Sequence, residues 1–242
     1  MMKGMFFMKS YNGTSDVGNI FIISENTHPA CLVQAEIETR IKDNTKIFLI
    51  SNEGENEYIE HCKALQGEQI SLLNIDSSSL KNSYTVLDIV DSDRLQADFS
   101  DRLYNALHTI WEKVQSESGK SAIYLNNIYS FFDAGYRTSE CINLLVNIFS
   151  KAKQNNCSIV VFNWKPVDFT KKYGDGDIDY TSKIFNNVMT FVITAIQDYE
   201  NMRIISDVFH LTENEENLLK SLKSNEGMSI ANQSYELIYW EK

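Results

Sequence analysis

The chain has 242 residues, 43% of them hydrophobic, which suffices for a sizeable core and argues against disorder. Its net charge of −11 and pI near 4.8 oppose the broad basic groove that displaces counterions from nucleic acid, so no nucleic-acid partner is expected. No apolar run reaches the ~18 residues of a membrane span, and the cysteines Cys31, Cys62, Cys141 and Cys157 show no C-x-x-C spacing, so neither an integral membrane segment nor a disulfide framework is expected.

Residues 1–17 read as an N-terminal extension, whose apolar start is too short for a secretory leader and suits a short strand or a partner contact. Gly18 and Asn19 then lead into a buried strand, Ile20-Phe21-Ile22-Ile23. Over 30–42, Leu32, Ala35, Ile37 and Ile41 give an imperfect helical face. A second strand is predicted over 46–51, a short helix over 56–65, a turn at Gly67, a third strand over 69–74 and an extended piece over 86–90. Leu95, Phe99, Leu103, Ala106, Leu107, Ile110, Trp111 and Val114 repeat at three and four, which predicts a long amphipathic helix within 94–117.

A strand over 121–126 precedes the cleanest helical stripe of the chain, Cys141, Leu144, Leu145, Ile148, Phe149 and Ala152 within 138–155. An apolar strand follows over 158–162, a Gly/Asp-rich loop over 173–180 and a strand over 188–194. Thr212 and Glu215 have the spacing of a capping box opening a helix over 212–223, and 228–231 with 235–240 flank Asn232-Gln233 as a terminal hairpin. Continuous apolar strands joined through helices imply an α/β fold with a mainly parallel sheet covered on both faces, in one domain spanning 1–242.

Between Ile23 and Leu32 stands the octet Ser24-Glu25-Asn26-Thr27-His28-Pro29-Ala30-Cys31, where a strand hands over to a helix. A phosphate loop at that place reads G-x-x-x-x-G-K-[ST], with backbone N–H groups curled round phosphates, a lysine neutralising them and a hydroxyl on Mg²⁺. Ser24, Pro29, Ala30 and Cys31 fall on its four defining positions. Proline has no N–H to donate and alanine no charge, so a triphosphate would find little to grip.

The order of motifs resembles the RecA-like motor domain of conjugative-transfer and type IV secretion ATPases, the TraC-like, VirB-type group. The likeness rests on Gly18-Asn19, the octet, Glu36-Ile37, Glu53-Gly54-Glu55-Asn56-Glu57-Tyr58, Leu65-Gln66-Gly67 and Ala122 to Tyr129. It continues through Val160 to Phe169, Phe185-Asn186-Asn187, Phe209 to Glu215 and Glu226-Gly227. The resemblance implies a RecA-like P-loop NTPase fold, with the family's usual all-helical insertion reduced to about one helix. It also implies that Asn126 and Asn127 stand where the family's Walker B acids hold Mg²⁺ and orient the attacking water. Trp164 stands where a strand-end glutamine senses the γ-phosphate. A motor lacking all of these carries no means to stabilise phosphoryl transfer.

Other signals have plainer readings. Gly119-Lys120-Ser121 copies the end of a phosphate loop but precedes a strand instead of opening a helix. His28, Cys31, His61 and Cys62 lack the pair spacing of a zinc site, and Glu53, Glu55, Glu57 and Glu60 suit a solvated helix start. Tyr124, Tyr129, Phe131, Phe132, Tyr136 and Trp164 divide between core and a partner surface.

These readings lead to a catalytically inactive, ATPase-like protein that acts by protein contact, with no catalytic residue, no metal and no cofactor. Ser24, His28, Pro29, Ala30, Cys31, Asn126, Asn127 and Trp164 line its vestigial nucleotide pocket. The expected partner is a conjugative ATPase or another transfer component of a mobile element, met through an inherited subunit face compatible with oligomers. The expected location is cytoplasmic, reaching a membrane secretion complex only through partners. The alternative is a nucleotide-binding enzyme whose non-standard phosphate site uses Glu25, His28, Asn126 and Asn127.

Overall fold

A computed structural model describes residues 8–10, 17–25, 29–51, 56–71, 75, 80–88, 99–126, 128, 135–166, 180–231 and 234–240. Its strands are β1 (Met8–Ser10), β2 (Ile20–Ile23), β3 (Lys46–Ser51), β4 (Glu68–Ser71), β5 (Tyr84–Asp88), β6 (Ser121–Asn126), β7 (Cys157–Trp164), β8 (Thr190–Thr194), β9 (Glu226–Ala231) and β10 (Ser234–Tyr239). The helices are α1 (Ala30–Lys42), α2 (Asn56–Ala64), α3 (Phe99–Ser116), α4 (Thr138–Lys151), α5 (Tyr180–Phe185), α6 (Tyr199–Phe209) and α7 (Glu213–Ser221).

The strands form one ten-stranded sheet in the order β1-β10-β9-β8-β2-β7-β6-β3-β5-β4, parallel throughout except where β9 runs against β8 and β10. Successive side chains of a strand point to opposite faces, so Phe21 and Ile23 join one core while Ile20 and Ile22 join the other. Helices α3, α4, α6 and α7 cover the first face, and α1 and α2 the second. The mainly parallel, doubly covered sheet and the terminal hairpin of the sequence reading are both present.

Several bounds shift. The residues read as a third strand are in the sheet over Glu68–Ser71, with 72–74 outside the described residues. The stripe on α3 is buried over Phe99, Leu103, Ala106, Leu107, Ile110, Trp111 and Val114, and Leu95 lies outside the described residues. The helix predicted over 138–155 ends at Lys151 and finishes in a 3₁₀ turn, Lys153–Asn155, before a left-handed Asn156. Tyr180, read as the end of a loop, opens α5, and α6 occupies a stretch to which the sequence reading assigned no element. The Thr212–Glu215 capping box is formed in both directions. Gly67 is required by close approach, since a Cβ there would meet Tyr84 O at 2.6 Å and Cys62 Sγ at 2.5 Å.

The imperfect face of α1 has a specific cause. Glu36 and Arg40 lie one turn apart on its buried side, each 1% exposed, with Arg40 Nε donating to Glu36 Oε1 at 2.8 Å. Arg40 Nη1 also donates to Ser158 Oγ at 2.9 Å, and the same oxygen accepts from Gly18 N at 3.1 Å. Beside it, Asn19 Nδ2 donates to Phe149 O at 3.0 Å and Asn187 O at 2.9 Å, and its Oδ1 accepts from Ile159 N at 3.2 Å. This polar network joins the start of β2 to α1, α4, β7 and the turn before β8.

Candidate functional site

In open α/β sheets, ligands bind beyond the carboxyl ends of parallel strands where successive crossovers leave on opposite sides. Here β2 lies between β8 and β7, while the chain leaving it through α1 enters β3 on the far side of β7 and β6. The octet begins at that carboxyl edge. Ile23 is in register with Trp164 and Asn126 with Phe162, so Ser24 directly follows β2 while Trp164 and Asn126 end the neighbouring β7 and β6. Of the eight residues read as a vestigial pocket, Ser24, Pro29, Ala30, Cys31, Asn126 and Trp164 thus fall around one edge; His28 and Asn127 lie outside the described residues.

Pro29 occupies the N-cap position of α1 and Ala30 is the first helical residue, with Val33 N donating to Pro29 O at 2.9 Å. Pro29 makes no side-chain cap bond to this end of the helix. Cys31 is exposed, Ser24 buried, and Asn126 fully buried at 0% exposure. Thr194 Oγ1, at the end of β8, donates to Ile23 O at 3.3 Å and ties the end of β2, just before the octet, to the neighbouring strand.

A contact invisible in the sequence holds the octet's second residue. The Glu25 carboxylate accepts from Gln197 N at 2.6 Å, from Asp198 N at 3.0 Å and from Asn201 Nδ2 at 2.8 Å. It therefore sits on the N-terminus of α6, whose N-cap Asp198 accepts in turn from Asn201 N at 2.9 Å. An anion there satisfies otherwise orphaned N–H groups and suits the helix dipole. Glu25→Ala is expected to accelerate hydrogen exchange at the Gln197 and Asp198 amides and to cost about 0.5–2 kcal/mol, the usual worth of a cap. Unchanged exchange at those amides would deny Glu25 this role.

The secondary candidates resolve as follows. His61 Nε2 lies 3.3 Å from Glu38 Oε1, and burial lowers the imidazole's pKa more than that carboxylate raises it. Burial likewise pushes the Cys62 thiol up to about 11 and the Cys141 and Cys157 thiols up to about 12. Among the described residues, no group of three or more His, Cys, Asp or Glu is arranged to hold a metal. Glu57 and Glu60 are exposed, and Glu60 accepts from Lys63 Nζ at 2.9 Å, while Glu53 and Glu55 lie outside the described residues. Lys120 pairs with Asp43 at the amino end of β6, away from the octet. Of the aromatic group, Tyr124 belongs to the core, whereas Tyr136 is 71% exposed and donates its hydroxyl proton to Asp101. Tyr129, Phe131 and Phe132 lie outside the described residues.

No protein-family model matches the sequence, and no curated protein matches it. Solved structures do. VirB4 of Thermoanaerobacter pseudethanolicus superimposes with a TM-score of 0.76 at 13% identity, over 99% of this chain and 96% of that one. The fold is RecA-like. The genome packaging NTPase B204 of Sulfolobus turreted icosahedral virus 2, solved with AMP, shares it at a TM-score of 0.58 and 10% identity over 92% and 97% of the two chains. The pCW3 conjugation coupling protein TcpA shares it at 0.53 and 10% identity over 92% of this chain and 60% of that one. The RecA-like fold is thus established, in agreement with the sequence resemblance. Among the described residues, no helix is long and apolar enough to cross a membrane.

Proposed function

We propose that this chain is a RecA-like protein without ATPase activity that works by protein contact, as an accessory to a conjugative-transfer or type IV secretion machinery. The carrying observation is the junction of β2 and α1, where Pro29 caps the helix and Ala30 opens it, facing a strand edge that ends in Asn126. A triphosphate at this edge would meet neither a lysine at the first helical position nor a carboxylate on β6 for magnesium. Loss of one such electrostatic contact typically costs about 10²–10³ in turnover, and the losses accumulate. The fold shared with VirB4 and TcpA supports placement among transfer components, and the exposed Tyr136 is the kind of side chain that anchors protein interfaces. A RecA-like subunit face would join a working motor by heterologous contact, which brings the chain to a membrane complex through its partner.

The test is thermal melting with and without millimolar MgATP, beside a phosphate-release assay. A ligand present at 100 times its Kd stabilises the folded state by about 2.7 kcal/mol, or about 5–10 °C for a chain of this size. The expected shift is below about 1 °C, with release no faster than in buffer. A shift of several degrees with magnesium-dependent release would overturn the proposal in favour of a nucleotide-dependent enzyme. Co-purification with a transfer ATPase from the same genetic neighbourhood tests the contact itself.

A further inference from the structure

At the amino end of the sheet, opposite the octet, an open depression of about 720 Å³ lies between the C-terminal ends of α1 and α3 and the residues leading into β3 and β5. Its walls carry Thr45, Lys46, Lys81, Ser83, Glu117 and Ser118. Thr45 is 2% exposed, and its Oγ1 has no hydrogen-bond partner among the described residues. A buried hydroxyl left in that state is destabilising unless something completes it.

Lys46 is held for use. Its side chain is 16% exposed, and Nζ donates to Leu80 O and to Glu117 Oε1, each at 2.9 Å. An ammonium has three N–H groups, so one remains for a ligand. Glu117 also accepts from Lys113 at 3.1 Å; burial works to raise its carboxyl, but the two ammonium groups hold it below the usual range. It is thereby kept ionised and its charge offset. Lys81 stands exposed on the rim, and no carboxylate among the described residues engages it.

Three features could repel an anion: the carbonyls that end α1, those that end α3, and the rim carboxylate of Asp43. Near the end of α1, Thr39 O and Arg40 O accept from Asp43 N, Arg40 O also from Thr45 N, and Ile41 O from Asn44 N, while near the end of α3 Lys113 O accepts from Ser116 Oγ. Asp43 on the rim is paired with Lys120. Within a chain of net charge −11, this edge therefore gathers Lys46, Lys81, Lys113 and Lys120 against Asp43 and Glu117.

We infer that this depression binds a phosphate group, free or as a small phosphate monoester. The donors, two ammonium groups and the hydroxyls of Thr45, Ser83 and Ser118, surround a three-dimensional hollow and match an oxyanion with three or four acceptor oxygens better than a planar carboxylate. The octet lies beyond the other end of the strands, so this site stands or falls independently of the proposed function.

The experiment titrates the full chain with sodium phosphate, then with glycerol phosphate, by calorimetry against sodium chloride at matched ionic strength. Saturable single-site binding is expected, weakened about tenfold or more by Lys81→Gln and by Thr45→Val, since each removes one donor to the anion. Melting curves of both variants show whether they are folded, and Lys81, being exposed, keeps the test valid if Thr45→Val does not fold. Tighter binding of the monoester assigns an organic phosphate, and tighter binding of the inorganic ion assigns free phosphate. Absence of saturable binding, or equal affinity in folded Lys81→Gln, overturns the site.

Discussion

Arg40→Met is expected to lower the unfolding free energy by about 3–5 kcal/mol, because it leaves the Glu36 carboxylate buried without its counter-charge. Methionine retains most of the arginine stem's packing, so the loss reports on charge more than on volume. The Ser158 hydroxyl also loses its guanidinium donor, although Gly18 N still reaches it. For a chain of this length the change corresponds to a fall in melting temperature on the order of 10 °C. Urea unfolding monitored by circular dichroism measures it, and a loss under about 1 kcal/mol would show that the pair is solvated in solution. Combining Glu36→Leu with Arg40→Met is expected to recover most of the stability, since neither remaining group then needs a partner.

Asn19→Asp should be nearly as damaging despite its identical shape. The amide nitrogen now donates to the carbonyls of Phe149 and Asn187; a carboxylate oxygen would face both of those oxygens instead. Two carbonyls lose their donor, at about 1–3 kcal/mol each where they are buried, and a negative charge is added among them. The sign of the pH dependence separates this account from simple loss of packing. The new carboxyl has a folded pKa raised above its unfolded value of about 3.9, so the defect is largest at neutral pH and shrinks as pH falls towards 4. Parallel urea titrations of both proteins at pH 7 and pH 4.5 test this; a pH-independent difference would refute the hydrogen-bond account.

Asn19 and Glu36, the partner of Arg40, belong to the motifs that carry the sequence resemblance. Gly18, Asn19 and Glu36 all enter one buried polar network that positions β2 and α1, the elements on either side of the octet. The residues at the octet itself and at the end of β6 are of a different kind from those a phosphate site uses. The proposed role rests on Pro29, Ala30 and Asn126 standing at the carboxyl edge beside this network.

The parts of the fold legible in the sequence are those whose determinants lie close together along the chain. The bounds of β3 and β6 follow from their uninterrupted apolar runs, and the α3 face follows from spacings of three and four. The Thr212–Glu215 box needs partners only three residues apart. Helix α6 had a comparable local mark, Asp198 three residues before Asn201 with Met202 and Ile205 beyond it, which would have located it.

By contrast, no local pattern announces that Glu36 and Arg40 face inward, because an acid and a base four apart on a helix ordinarily face water. The order of strands, the Glu25 carboxylate on a helix start 172 residues away and the Asn19 bond spanning 168 residues were decided only when the sheet closed. Sequence alone determined most of the strands, the long amphipathic helix and which side chains stand in the octet, since apolar period and residue identity are properties of adjacent positions. Tertiary structure decided which polar groups pair, because a buried donor must be satisfied by whatever acceptor the packing brings to it, however distant in the chain.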